Sequence, residues 1–215
     1  VSAPSRVSIE LEVGGALLRA TVREDFGAAA RDVLKGFSSV ELGEGAAIDV
    51  GWGPIRLRAS GPDFEAVAPD YRSRFPRRRE THDLTDTLWV RALQDEFHAR
   101  SGLPVGPSTT FDNSIYVIEG AWAADVVCMR REELDGSPFS GWLVDVAVPP
   151  QPGSDVDTGR IGKVATVFAE RPALLAALRL PPGFVVVADS RDLTAVHDAS
   201  GDLVYSGPFP DPAMP

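Results

Sequence analysis

Apolar and polar positions alternate along Arg6–Val13, with Val7, Ile9, Leu11 and Val13 on one face, and again along Ala16–Arg23, with Leu18, Ala20 and Val22. A period of two marks a half-buried strand. Gly14-Gly15 permits a tight turn between the two runs, so the chain opens with a predicted β-hairpin. The period then lengthens: Phe26, Ala30, Val33 and Leu34 recur at helical spacing, Asp25 is placed to cap that helix, and Gly36 to end it. Short strands are expected at Ser39–Leu42, Ala47–Gly51 and Ile55–Ala59, divided by glycines, with Trp52 in a glycine-flanked turn at the rim. The strongest helical pattern follows Asp83, where Leu84, Leu88, Ala92 and Phe97 line one side of Leu84–Arg100 before Gly102 and Pro104 stop it.

Further on, Ile115–Glu119, Asp125–Met129, Trp142–Val148, Lys163–Phe168 and Phe184–Ala188 carry the β-branched, apolar character of strands. Val126–Met129 is placed to pair with the strand opened by Trp142. Pro172 starts a short helix through Leu178 that Pro181-Pro182-Gly183 breaks, and Leu193–Val196 with Leu203–Tyr205 form a hairpin about Asp198–Asp202. Pro149–Arg160 reads as a solvated loop and the Pro-rich tail as mobile. The expected fold is α+β, with mixed or antiparallel sheets and about three helices. The Pro/Gly/Ser/Thr-rich stretch Leu103–Thr110 is the candidate boundary between an N-terminal subdomain, 1–108, and a second, 109–215.

Composition narrows the function classes. Hydrophobic residues make up 44% of the 215, enough for a real core, and no apolar run reaches the roughly 18–20 residues that cross a bilayer. The first residues lack a basic region followed by an apolar core, so no signal peptide and a cytoplasmic setting are expected. A single cysteine, Cys128, excludes an internal disulfide or a multi-cysteine zinc site, and its apolar neighbours point to a buried thiol. Charge is uneven: residues 1–110 hold 14 Lys+Arg against 16 Asp+Glu, and residues 111–215 hold 7 against 15. Phosphates would be repelled by the acidic second half, whereas a basic protein would be drawn to it. Tyr71–Arg79 is the one basic cluster with interleaved aromatics, but acidic Asp63, Glu65, Asp70 and Glu80 are near in sequence to pair it, so nucleic-acid binding is disfavoured.

No catalytic constellation is expected. The histidines His82, His98 and His197 have no metal-pair spacing, and neither a phosphate-cradling glycine loop nor a nucleophile elbow is present. Asp155 and Asp157 with Thr158 do not complete a calcium loop. Neither metal nor cofactor is expected. The segment Met129–Asp145 is the natural hub, with a charged run, the turn Asp135-Gly136-Ser137-Pro138 and Ser140-Gly141-Trp142 opening an apolar strand.

Met129-Arg130-Arg131-Glu132-Glu133, Ser140-Gly141-Trp142, the Asp155/Asp157 loop and Pro172–Leu180 closing with Pro181-Pro182-Gly183-Phe184 occur in that order. In this order and spacing, Asn113–Tyr205 resembles the predicted immunity-protein family of bacterial polymorphic toxin systems numbered thirty-three. Where that family commonly has Asp before Ser-Gly-Trp, this chain has Phe139. The resemblance implies inhibition by binding to a cognate toxin and no catalysis. Expected contacts are Glu132, Glu133, Asp135, Asp155 and Asp157, with Phe139 as an apolar anchor and Trp142 as structural hub. The alternative expectation is a small enzyme or small-molecule-binding protein with a pocket between the subdomains.

Overall fold

The computed structural model describes residues 5–73, 79–133, 138–147 and 158–209. The fold is α+β, built on two open sheets of six and seven strands. The chain divides into two compact units, 1–92 (with 214–215) and 93–213. That division falls inside a helix, earlier in the chain than the Leu103–Thr110 stretch suggested by composition.

In the first unit, β1 (Arg6–Val13) and β2 (Ala16–Arg23) form the expected hairpin, in register from Arg6–Arg23 to Val13–Ala16. Gly14 and Gly15 both take positive φ in its turn. The chain then passes through α1 (Gly27–Gly36), β3 (Ala47–Asp49) and β4 (Pro54–Ser60) into β5 (Asp63–Pro69). The strand β5 runs parallel to β2, and the two-residue β6 (Glu80–Thr81) pairs with it, giving the order β1-β2-β5-β4-β3. Leu18, Ala20, Val22, Ile55, Leu57, Ala66 and Ala68 bury one face against Ala30, Val33, Leu34 and Phe37, joined by Leu84 and Leu88. α2 (Thr85–Ser101) begins where Asp83 accepts the Thr85 N–H at 3.0 Å.

The second unit takes α2 from Leu93 onward, then β7 (Ser114–Ile118), β8 (Val127–Arg131), β9 (Phe139–Val146), β10 (Gly159–Lys163), α3 (Ala165–Glu170) and a 3-10 turn, Pro172–Ala177. β11 (Val185–Ala188), β12 (Leu193–His197) and β13 (Leu203–Phe209) complete it. The sheet order is β10-β7-β9-β8-β11-β12-β13, all antiparallel except β7 against β9. One register row, Val117, Val144, Met129, Val186 and Val196, is buried to 3% exposure or less. The helical segments pack on that side: Phe97 of α2 sits edge-to-face with Tyr205 and Phe209, Gln94 donates to the Leu175 carbonyl, and the Trp142 indole donates to the Leu178 carbonyl.

Several local expectations are corrected. Asp25 caps no helix: a 3-10 turn, Glu24–Phe26, precedes α1, and the carboxylate pairs with Arg23 at 2.6 Å. Ser39–Leu42 is no strand, because α1 unwinds into the 3-10 turn Phe37–Ser39. Lys163–Phe168 divides into the end of β10 and most of α3, so a run that reads as one strand serves two elements. Trp52 is fully buried, packed 5.5 Å from Tyr71, and Cys128 is only half-buried.

Candidate functional site

The sequence motifs of the second unit converge on one buried node. Arg131, at the end of β8, donates through a single guanidinium nitrogen to the carbonyls of Pro107 (3.0 Å), Leu178 and Leu180. Its backbone N–H bonds the Phe184 carbonyl at 3.0 Å, and its own carbonyl accepts the Gly183 N–H at 2.7 Å. The guanidinium carbon lies 5.6 Å from the ring of Trp142, which is itself 2% exposed. Burial pulls the guanidinium pKa down, yet the carbonyls at the end of the 3-10 turn supply the acceptors that a buried cation requires. Ser140 donates to the Ser114 carbonyl at 2.9 Å and accepts the Trp142 N–H at 3.1 Å. Gly141, at φ 79°, brings its α-carbon so near the Glu132 carbonyl that a β-carbon would lie 2.3 Å from that oxygen. Arg131, Ser140-Gly141-Trp142 and Pro181–Phe184 are therefore the scaffold of this unit.

What the scaffold presents is the opposite face of the sheet. Strand register places Ile161, Tyr116, Leu143, Arg130, Val185, His197 and Leu203 side by side across all seven strands. A neighbouring row carries Asp145, Cys128, Val187, Ala195 and Ser206. Ile161 at 61% and Leu203 at 56% are exposed at the two edges, and Tyr116, Leu143, Val185 and Val187 are half-buried. The contacts of Phe97, Gln94 and the Pro172–Ala177 turn all lie on the other side of the sheet. The face spans roughly 30 Å at the usual strand spacing and mixes apolar side chains with Arg130 and Asp145 on its two central strands and His197 and Ser206 toward the β13 edge. Burial, and then Asp145 opposite it, push the Cys128 thiol pKa up, so the thiol stays protonated there.

The expected contact residues divide accordingly. Phe139, paired with Ser114 and 37% exposed, belongs to the open face. Glu132 and Glu133 are exposed just past the end of β8, and Glu132 pairs with Arg130 at 3.1 Å. Asp135, Asp155 and Asp157 lie outside the described residues. Carboxylates collect at both strand ends, with Glu119, Asp125 and Asp145 at one and Asp112, Glu132, Glu133, Asp198 and Asp202 at the other. Most of them border the face, while Asp145 lies on it beside Cys128, in the row next to Arg130.

Other candidates resolve into structure or surface. His82 meets Glu65 at 2.8 Å, but both side chains are exposed, beside a depression of about 100 Å³. His197 Nδ1 lies 3.2 Å from the Gly201 carbonyl in its own hairpin. His98 is buried, its pKa lowered chiefly by desolvation, with Nδ1 3.2 Å from the Leu103 carbonyl. In the basic cluster, Tyr71 is buried and Arg72 forms a two-point pair with Asp86, while Arg74, Phe75, Pro76, Arg77 and Arg78 lie outside the described residues. A depression of about 470 Å³ sits within the second unit where β7 ends and β10 begins, lined by Glu119, Trp122 and Arg160 among others. Among the described residues no group of three or more His, Cys, Asp or Glu could hold a metal ion, and no helix is long and apolar enough to cross a membrane. No family model, no curated protein and no solved structure matches the chain.

Proposed function

We propose that this protein is an immunity protein that neutralises a cognate bacterial toxin by binding it, and that it does so in the cytoplasm. The observation that carries the reading is this face of the seven-stranded sheet, where Tyr116, Leu143, Val185 and Val187 surround Arg130 and Asp145 and carboxylates collect at the strand ends. Tyr, Arg and apolar side chains with a polar rim are what protein interfaces enrich. Two sequence features support the same reading. The face lies within the segment that resembles the immunity family, and the residues 111–215 carry a net charge of 7 − 15 = −8. The fitting partner has an apolar patch ringed by Lys and Arg.

Co-expression with the product of the adjacent gene tests this. The expected result is that the product arrests growth alone, is tolerated with this protein, and co-purifies with it. Phe139→Asp and Leu203→Asp, at exposed positions, should each weaken the complex at least about tenfold while leaving the melting temperature within a few degrees. A harmless product that binds nothing would refute the proposal, and binding untouched by both substitutions would refute the choice of face. A second reading, small-molecule binding, is favoured only by the cavity beside Trp122 and Arg160. A ligand that raises the melting temperature and loses its effect in Arg160→Ala would support it.

A further inference from the structure

We infer that the edge strand β10 pairs with β10 of a second copy of this chain, antiparallel and centred on Ile161, joining two seven-stranded sheets into one. The hydrogen-bond phase of the edge comes first. Glu119 N–H bonds the Thr158 carbonyl at 2.9 Å and Val164 N–H bonds the Asn113 carbonyl at 3.0 Å. In an antiparallel ladder the bonded residues alternate, so Thr158, Arg160, Gly162 and Val164 turn their backbone groups toward β7. Gly159 and Ile161 turn theirs outward, and β10 is the last strand in the sheet order. Ile161 is also the most exposed large apolar side chain among the described residues, at 61%.

The sequence of the strand, Gly-Arg-Ile-Gly-Lys, then complements itself. With Ile161 on a twofold axis, it faces its own copy as a hydrogen-bonded pair. Arg160 falls opposite Gly162, and Lys163 opposite Gly159, over which the same chain's Tyr116 ring lies, an aromatic surface a lysine can approach. The two cations avoid direct opposition, which would destabilise the pair. Lys163 is in addition held by the Asp112 carbonyl at 2.6 Å. Shifting the register by one residue would set inward-turned groups against outward-turned ones and lose the bonds. An isolated strand pair buries less than the roughly 1,200 Å² of a stable complex, so the dimer is weak and depends on concentration. Each copy carries a charge of −10, so added salt strengthens it by screening their repulsion.

Sedimentation velocity of the full chain over roughly a hundredfold range of concentration should show a monomer–dimer equilibrium. Ile161→Pro deletes an outward N–H and no ladder bond, as edge strands tolerate. It should weaken the dimer at least about tenfold, with circular dichroism and melting temperature near the parent's. Leu203→Lys, on the opposite edge, should leave association unchanged. In a Cys128→Ser background, Ile161→Cys should oxidise to a covalent dimer, because paired α-carbons about 5.5 Å apart are within disulfide reach. A monomer at every concentration, a dimer indifferent to Ile161→Pro, or one broken by Leu203→Lys would overturn the inference. Loss of toxin binding in Ile161→Pro without any dimer in the parent would overturn it too and give the edge to the toxin. The inference does not depend on the toxin reading, since it is read on the protein alone.

Discussion

Gly141 concentrates two constraints in one residue: a φ of 79° and a Glu132 carbonyl where a β-carbon would stand. Any L-residue there meets left-handed strain of about 1–2 kcal/mol plus a clash with backbone that cannot swing aside. Gly141→Ala is therefore expected to cost at least about 2 kcal/mol, seen as a fall in denaturation midpoint with an unchanged slope. Arg131 is the other residue on which the node depends. Arg131→Met keeps much of the stem's packing but strips donors from the carbonyls of Pro107, Leu178 and Leu180. Leaving them unsatisfied should cost about 2–4 kcal/mol in the same measurement. An effect under about 0.5 kcal/mol in both variants would show that the node is not the scaffold. Arg171 repeats the device, donating to the carbonyls of Trp122 and Ala124 from a buried position.

Among the elements, α2 has the clearest start signal. Asp83 accepts from the Thr85 N–H and hydroxyl and pairs with Arg6. Burial alone would raise its pKa, but the hydrogen bonds from Thr85 and Arg6 outweigh burial and hold it below the usual carboxylate value. A depressed carboxylate stabilises the fold above its unfolded pKa, near 3.9, and loses that contribution as pH falls through the folded value. Asp83→Asn keeps the capping oxygen but loses the charge, so it should be about 0.3–1 kcal/mol less stable at neutral pH, and the gap should close in melts taken at progressively lower pH, below about 4. A gap constant with pH would mean the charge is not what stabilises the start of the helix. The strand β5 shows the converse: Asp63-Phe64-Glu65 reads as part of an acidic cluster, yet it pairs with β2 and β4 on its two sides.

For the whole molecule, charge acts on encounter. With a net charge of −10 and carboxylates collected at the strand ends of the second unit, a basic partner should associate faster at low salt. Glu132→Lys with Glu133→Lys is expected to slow association several-fold and flatten its salt dependence, while dissociation changes little, because rim charges steer more than they hold. Stopped-flow or surface-binding kinetics with the purified partner proposed above would measure both rates. An unchanged on-rate would place the contact away from that end of the sheet.

Periodicity and turn signals determined the N-terminal hairpin, the helix after Asp83, the pairing of Val127–Met129 with the strand that carries Trp142, and the terminal hairpin. Each of these is a local pattern whose partner lies close along the chain. Ser140-Gly141-Trp142 lies inside β9, which starts at Phe139 and not at Trp142 as the sequence pattern reads. Only the tertiary structure decided that β7 lies beside β9 rather than β8, and that Lys163–Phe168 divides between a strand end and a helix. It also decided that Arg131 is spent on carbonyls more than forty residues away. The open sheet face was hidden from the sequence by its own composition. Strands such as Val185–Ala188 are apolar on both sides, so they read as wholly buried, and which side the helices leave bare is a matter of packing between distant segments.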